Sequence, residues 1–422
     1  MNVLWVPSFY PADTQDLNGS FFREQAAALR DAGVDLRVVA PSGVYADYWL
    51  KHPRLRQNHY RQPTSEGRDF PVWFQEIRMF PRGIRGFERY GLHAFAKRVC
   101  KQLLAEPWIP DVIHVQTVFP GLLVADLIAD LLLSGPGADD GDTQRIPVVV
   151  TEHRPIILDT PHRGTRARDL AHALEKVAMC SAVSGGFAVE LEQFFNQEIR
   201  RYGSQIETNW EVSPNLLGPV FENSWNPPAN FVANRPYVPD DSRPYLHVSN
   251  LGPMKNVENL LRGYADSGVK RPLSIVGPRQ RHGSLQRLAK ELGISQRVTF
   301  TPTLSREEVR EADEAAAGFL LTSNRETFGI VAAEALSQGI PVLATPTWGG
   351  RDILTESRGV LTEDMTGASI AKSLRILEQR LQAGAYRPDV LRADAVETWG
   401  FKTWTGGWLE RYDKLTGWGD LM

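Results

Sequence analysis

NRETFGIVAAEALSQGIPVLAT, residues 324–345, is the stretch whose reading decides the fold. IVAAEAL consists of strong helix formers, with Gly329 at its start and Gly339 at a natural stop. PVLAT then reads as a short buried strand. A helix that feeds a buried strand is the repeating unit of a parallel α/β layer. The same stretch positions two carboxylates, Glu326 at the loop end of the preceding strand and Glu334 a turn or more into the helix. Free N–H groups at a helix start attract anions. Both glutamates are expected to look toward that start, an arrangement suited to a ligand that carries hydroxyls and phosphate together.

Working outward, the same alternation surrounds this stretch. PYLHVSN (from Pro244), a helix through VENLLRGYADSG, PLSIVG, a helix through SLQRLAKELG, RVTFTPT and AAGFLLTS precede it. The first half behaves alike: VLWVP, the helical FFREQAAALRDAG, VDLRVVAP, DVIHVQT, a helix from Gly121, IPVVVTEH, AMCSAVS and WEVSPN. Strands separated by helical runs predict two Rossmann-like, doubly wound α/β domains, at 1–220 and 245–395. The Pro- and Asn-rich passage at 221–244 reads as linker. The aromatic amphipathic segment 396–422 is expected to cross back onto the first domain, since no sheet of its own domain requires it. SGPGADDGDTQR, 134–145, reads as a solvated loop.

Composition narrows the class. The 422 residues are 42% hydrophobic and 23% charged, with net charge −3, so nothing drives the chain toward nucleic acid. Cys100 and Cys180 lack CxxC spacing, which argues against a zinc site or a disulfide framework. MNVLWVPSFYP enters a strand directly, with no signal pattern. The longest apolar run, from Gly121, is interrupted by Asp126 and Asp130 and is too short to span a bilayer. These features predict a soluble, cytoplasmic protein.

The ordered set VSNLGPMKN, LSIVG, RVTFTPTLSREEV and TSNRETFGIVAAEALSQGIPVLATPTWGG closely resembles the nucleotide-sugar domain of retaining family 4 glycosyltransferases of the GT-B fold. NGSFFREQAAALRDAGVDLRVVAP, PDVIHVQT, IPVVVTEH and SPN (213–215) resemble the family's first domain. The resemblance implies a cleft between the two domains and a nucleotide diphosphate sugar as donor. It implies that Glu334 holds the ribose hydroxyls and Glu326 the sugar hydroxyls. Phe328, Gly329 and Ile330 would offer backbone N–H groups to the diphosphate, which Lys255 would meet as a point charge. Gly19 would approach the diphosphate from the first domain, and His153 would face the sugar near its reacting carbon. His114 and Asn215 are weaker candidates, each equally readable as a structural residue. Asn250 occupies the donor-binding position where the family normally carries arginine; Arg325, Arg351 and Arg279 are the candidate substitutes. The bland alternatives are a solvated Glu326, a turn-capping Glu334, a surface Lys255 and a turn glycine at Gly19.

RMFPRGIRGFERYGLHAFAKRVCK, from Arg78, holds seven basic residues against Glu88 alone, and Arg154, Arg163, Arg166 and Arg168 add charge further on. Such a stretch docks on anionic lipid, holds an anionic acceptor, or is simply a solvated basic face. With no convincing metal motif, no essential metal or other cofactor is expected. The resulting expectation is a retaining hexosyltransferase acting on a glycan, lipid-linked or small-molecule acceptor, in cell-surface or exopolysaccharide biosynthesis. Two rivals are a catalytically degenerate nucleotide-sugar binder and an NAD-dependent oxidoreductase. The second would require G-x-G-x-x-G after the first strand, where PSFYPADTQDLNGS stands instead.

Overall fold

The computed structural model describes residues 1–16, 19–79, 85–106, 108–133, 145–159, 165–233 and 235–417, with backbone alone at 46, 85–87, 159 and 165–167. Two compact units emerge, one from Met1–Ser213 plus the chain from Thr405 onward, the other from Pro214–Trp404.

The first unit carries an eight-stranded sheet. Its strands are β1 (Asn2–Pro7), β2 (Asp35–Val44), β3 (Gln57–Pro63), β4 (Asp69–Arg78), β5 (Val112–Gln116), β6 (Val148–Glu152), β7 (Met179–Ala182) and β8 (Trp210–Val212). Their order is β3-β4-β2-β1-β5-β6-β7-β8. All neighbours are parallel except β3, which pairs antiparallel with β4. The β3–β4 hairpin is absent from the sequence reading. β3 is an edge strand, polar and largely exposed (QNHYRQP), so it lacks the apolar run that marks a buried strand. Order reverses at β1 and β5, and a crevice beyond the carboxyl ends of two such strands is where this architecture places ligands.

The second unit has a six-stranded, all-parallel sheet. Its strands are β9 (Tyr245–Val248), β10 (Leu273–Val276), β11 (Val298–Thr301), β12 (Gly318–Leu321), β13 (Val342–Ala344) and β14 (Gly359–Leu361). The order β11-β10-β9-β12-β13-β14 puts its reversal between β9 and β12. GFLL and VLA are buried along their whole length, as expected where helices cover both faces of a sheet.

Two boundaries differ from the expected ones. The presumed linker packs on the second unit: Trp225 Nε1 donates to the Gln338 carbonyl at 3.2 Å, and Arg271 Nη1 donates to the Asp240 carbonyl at 2.7 Å. Proline and asparagine there mark irregular backbone, but that backbone has fixed partners. At the C-terminus, helices Pro388–Trp399 and Phe401–Thr416 follow one another, and the second continues past the unit boundary into the first unit. There Trp408 and Tyr412 are buried at 1% and 0% exposure, which accounts for the aromatic content of this segment. No helix among the described residues is long and apolar enough to cross a membrane.

Candidate active site

Because β9 and β12 are neighbours, the loops leaving their carboxyl ends lie side by side. Asn324 N–H donates to the Met254 carbonyl at 2.8 Å, and Thr322 Oγ1 donates to the Lys255 carbonyl at 3.3 Å. Lys255 closes the short turn Pro253–Lys255, and its Nζ stands 2.7 Å from Glu326 Oε2. Ser323 Oγ donates to the same carboxylate oxygen at 3.3 Å. Both charged side chains keep some solvent access, 25% for Lys255 and 15% for Glu326, so the pair is accessible as well as ordered.

The β9 loop is held from below by a residue that the sequence reading passed over. His247 is buried, and its Nδ1 contacts the Leu320 carbonyl at 2.7 Å, so Nδ1 carries the proton. Ser249 Oγ lies 2.8 Å from the other ring nitrogen and accepts the Leu251 N–H at 3.0 Å. Burial moves the His247 imidazole down to about 4, which keeps it uncharged beside Lys255. Leu251 and Asn256 then adopt left-handed backbone, φ 53° and 56°. Asn250 is exposed, and its Oδ1 accepts the Gly252 N–H at 3.0 Å, shaping the turn where the family normally has a cation.

On the β12 side, Gly329 opens helix Ile330–Ser337 at φ 88°, and a Cβ there would stand 2.9 Å from Leu321 Cδ2. Both facts require glycine. Phe328 is buried with its ring edge-on to Trp399. Gly349 passes so close that a Cβ would meet the Phe328 carbonyl at 2.2 Å, while its N–H donates to the Glu326 carbonyl at 3.0 Å. The WGG turn thus fixes the backbone that carries Glu326.

Glu334, in the helix that Gly329 opens, is buried, and its Oε1 lies 2.6 Å from Arg306 Nη1. Arg306 begins helix Arg306–Ala315, opened by a Ser305–Glu308 capping box, and its guanidinium also lies over the Phe221 ring. The Ser305-x-x-Glu308 spacing marks the start of this helix, but nothing in it marks the pairing with Glu334. Asp313, two turns along the same helix face, is buried, and burial with the Glu334 and Glu314 charges lifts its carboxyl well above the usual range. Of the candidate substitute cations, Arg325 lies 5.1 Å over the Trp348 ring and Arg351 donates to the Pro346 carbonyl at 3.1 Å. Arg279 sits in the turn Arg279–Arg281.

In the first unit, Gly19 precedes helix Ser20–Asp31 at φ 78°, where a Cβ would press on Phe9 at 3.2 Å. His153 follows β6, buried at 7% exposure with Phe21 and Phe22 against its ring. Its Nε2 is 2.6 Å from Gln116 Oε1. Glu152, fully buried, accepts the backbone N–H groups of Val118, His153 and Arg154 at 2.8, 2.8 and 2.7 Å. Burial nevertheless raises its carboxyl to about 7. His114 is wholly buried, and burial holds its imidazole well below the usual range.

A family model described as glycosyl transferases group 1 matches residues 233–382, and one described as a glycosyl transferase 4-like domain matches 19–201. The chain belongs to the family 4 glycosyltransferases of the GT-B fold. TuaC of Bacillus subtilis, a glycosyltransferase named for teichuronic acid biosynthesis, is 21% identical over 89% of this chain and 88% of its own. D-inositol 3-phosphate glycosyltransferase of Mycolicibacterium smegmatis is 39% identical over 26% of this chain and only 27% of its own length. The counterpart from Thermomonospora curvata is 34% identical over 36% of this chain and 39% of its own. Among solved structures, sucrose-phosphate synthase from Thermosynechococcus elongatus superposes with TM-score 0.65 at 15% identity, over 99% of both chains. Anabaena HepE in complex with UDP gives TM-score 0.66 at 16% identity, covering 98% of this chain and 100% of HepE.

Within this chain, the sequence-derived residues fall into separate groups. Lys255, Glu326, Asn250, Phe328, Gly329 and Ile330 share the β9 and β12 loop ends, and Glu334 lies deeper against Arg306. Gly19 and His153 belong to the other unit. Of the basic stretch, Arg82 and Arg163 lie outside the described residues, as do the side chains of Arg85 and Arg166. Arg89 pairs with Asp169 at 3.3 Å, whereas Lys97 and Arg98 are exposed.

Proposed function

We propose that this family member is a retaining enzyme that moves a hexosyl unit from a nucleotide diphosphate sugar to an acceptor bound by the first unit. The observation that carries the reading is the Lys255–Glu326 contact of 2.7 Å beside a helix start opened by left-handed Gly329. It joins a cation for the leaving diphosphate to a carboxylate for sugar hydroxyls, next to free backbone N–H groups.

In this reading the bond between the anomeric carbon and the diphosphate oxygen breaks as the acceptor oxygen attacks from the same face. The departing phosphate oxygen takes the acceptor's proton. Lys255 and the N–H groups at Gly329 and Ile330 stabilise the charge that develops, while Glu326 and His153 orient the sugar. Glu334 accepts from the ribose, kept in place by Arg306. No side-chain nucleophile and no metal is assigned a step.

The names of TuaC and the D-inositol 3-phosphate enzymes suggest acceptors with several hydroxyls and an anionic group, and we extend that to this chain as part of the proposal. Incubation with UDP-, GDP- and ADP-sugars, scored for free nucleotide diphosphate that accumulates only with acceptor, tests it. Nucleotide-sugar binding without turnover would favour the degenerate homologue.

A further inference from the structure

His114 and Gln116 point to one face of β5 because strand side chains alternate. Thr151 on β6 is register partner to Gln116 and to Ser181 on β7, so the polar side chains continue across three strands. A buried sheet face normally carries Val, Ile and Leu. Here four polar side chains lie at 3% exposure or less. Burying them costs stability unless each is hydrogen-bonded.

They form a continuous chain. Tyr412 Oη stands 2.6 Å from His114 Nδ1, and His114 Nε2 is 2.8 Å from Gln116 Nε2. Gln116 Oε1 is 2.6 Å from His153 Nε2. Thr151 Oγ1 approaches His114 Nε2 at 2.8 Å and Ser181 Oγ at 2.9 Å. The rings of Trp5 and Trp408 enclose His114 at 4.7 and 4.2 Å. Burial keeps both ends of the His114–Tyr412 contact uncharged, lowering the imidazole and raising the phenol.

An amide oxygen only accepts and an amide nitrogen only donates. Gln116 Nε2 therefore requires a lone pair at His114 Nε2, which leaves the His114 proton on Nδ1 to be donated to Tyr412. At the other end, Gln116 Oε1 requires a proton on His153 Nε2. One glutamine thus holds two imidazoles in opposite tautomers, and a change at either ring would require the amide to turn over.

We propose that Gln116 is a positioning residue that locks His153 as its Nε2–H tautomer, in a hydrogen-bond chain whose far end is Tyr412 on the C-terminal helix. The lock fixes the orientation of the ring and holds a proton at Nε2, against Gln116 Oε1. Its use in transfer rests on the reading of His153 as a residue that orients the donor sugar; the tautomer itself does not.

The test is two-bond 1H–15N spectroscopy of histidine-labelled protein without ligand, the His153 signals being assigned by their loss in His153→Asn. The expected result is protonated Nε2 at His153 and protonated Nδ1 at His114. In Gln116→Met, His153 should move to averaged shifts, and single-turnover transfer should fall at least about tenfold, with donor affinity changed less. Gln116→Glu keeps the acceptor and should retain the Nε2–H signature. Protonated Nδ1 at His153 in the wild type would overturn the proposal, as would an unchanged tautomer in Gln116→Met. The expected tautomer together with no transfer from any nucleotide sugar would instead reject the enzymatic reading.

Discussion

Glu326 and Glu334 lie eight positions apart yet meet different cations, and that difference makes their proposed roles separable. Glu326 pairs with Lys255 at a partly open loop, so Glu326→Gln releases the lysine for a diphosphate. Affinity for free nucleotide diphosphate should then be unchanged or higher while turnover falls. Glu334→Gln should weaken nucleotide binding itself, because the free nucleotide keeps its ribose. Calorimetric titration of the two variants compares them; equal affinities would reject the assignment. In the proposed mechanism Lys255 meets the leaving group with Asn250, not arginine, five positions before it, and Asn250 is committed to the Gly252 turn. Removing one preorganised partner of a developing oxyanion costs about 3 to 4 kcal/mol, roughly 100- to 1000-fold in rate. Lys255→Ala should reach or exceed that loss under single-turnover conditions, and Asn250→Arg should restore part of it. Single turnover within about threefold of wild type would move the role to Arg325, Arg351 or Arg279. The helix start at Gly329 and the place of Glu326 at a loop end were legible in local spacing, whereas Lys255 was singled out by the family resemblance. Arg306 was not, because its meeting with Glu334 depends on how two helices pack.

At the scale of elements, strand ends and helix faces set the chemistry. Glu152 ends β6 and staples three backbone N–H groups, tying the start of the helical stretch at Val118 to the loop bearing His153. Its folded value of about 7 lies above the ordinary 4.5. The folded state therefore holds the proton more tightly, and this contribution is full below 4.5 and is lost as pH rises through 7. The loss is at most on the order of 3 kcal/mol. Urea unfolding of wild type and Glu152→Gln at pH 5 and 7.5 should show a fall in the wild type that the variant lacks. Equal pH dependence in both would count against the raised carboxyl. Helix Arg85–Leu104 presents exposed Lys97 and Arg98, and Tyr90 beside Arg89 is 76% exposed. If this face meets anionic lipid, co-sedimentation with acidic vesicles should be clear at low salt and fade as charges are screened within about 10 Å at 0.1 M. Equal binding to neutral vesicles would reject the electrostatic reading. Most of the parallel strands were readable because burial on both faces writes an apolar run, whereas β4 and the three-residue β14 were not. The β3–β4 hairpin was hidden by the polar, exposed character of its edge strand.

For the whole molecule, the decisive feature is that two sheets have separate cores while helix Phe401–Thr416 runs from one unit into the other. Its aromatic pattern foretold that it would leave its own sheet. Its contribution of Tyr412 to a histidine 298 positions earlier in the sequence was not foreseeable, because spacing along a chain carries no information about such a contact. Separate cores predict two resolvable unfolding transitions, each with its own sensitivities. Trp408 is buried in the first unit, and truncating a buried tryptophan costs about 3 to 5 kcal/mol. Trp408→Ala should therefore lower one transition and leave the other near its wild-type temperature. A nucleotide diphosphate should act on the other one, since Lys255, Gly329 and Glu334 all belong to the second unit. At a hundred times its dissociation constant it should stabilise that unit by about 2.7 kcal/mol. Differential scanning calorimetry of wild type, Trp408→Ala and Glu334→Gln, each with and without UDP, GDP and ADP, separates these effects. The nucleotide shift should survive Trp408→Ala and shrink in Glu334→Gln. A shift confined to the transition that Trp408→Ala lowers would place the nucleotide on the first unit and refute the donor site described above.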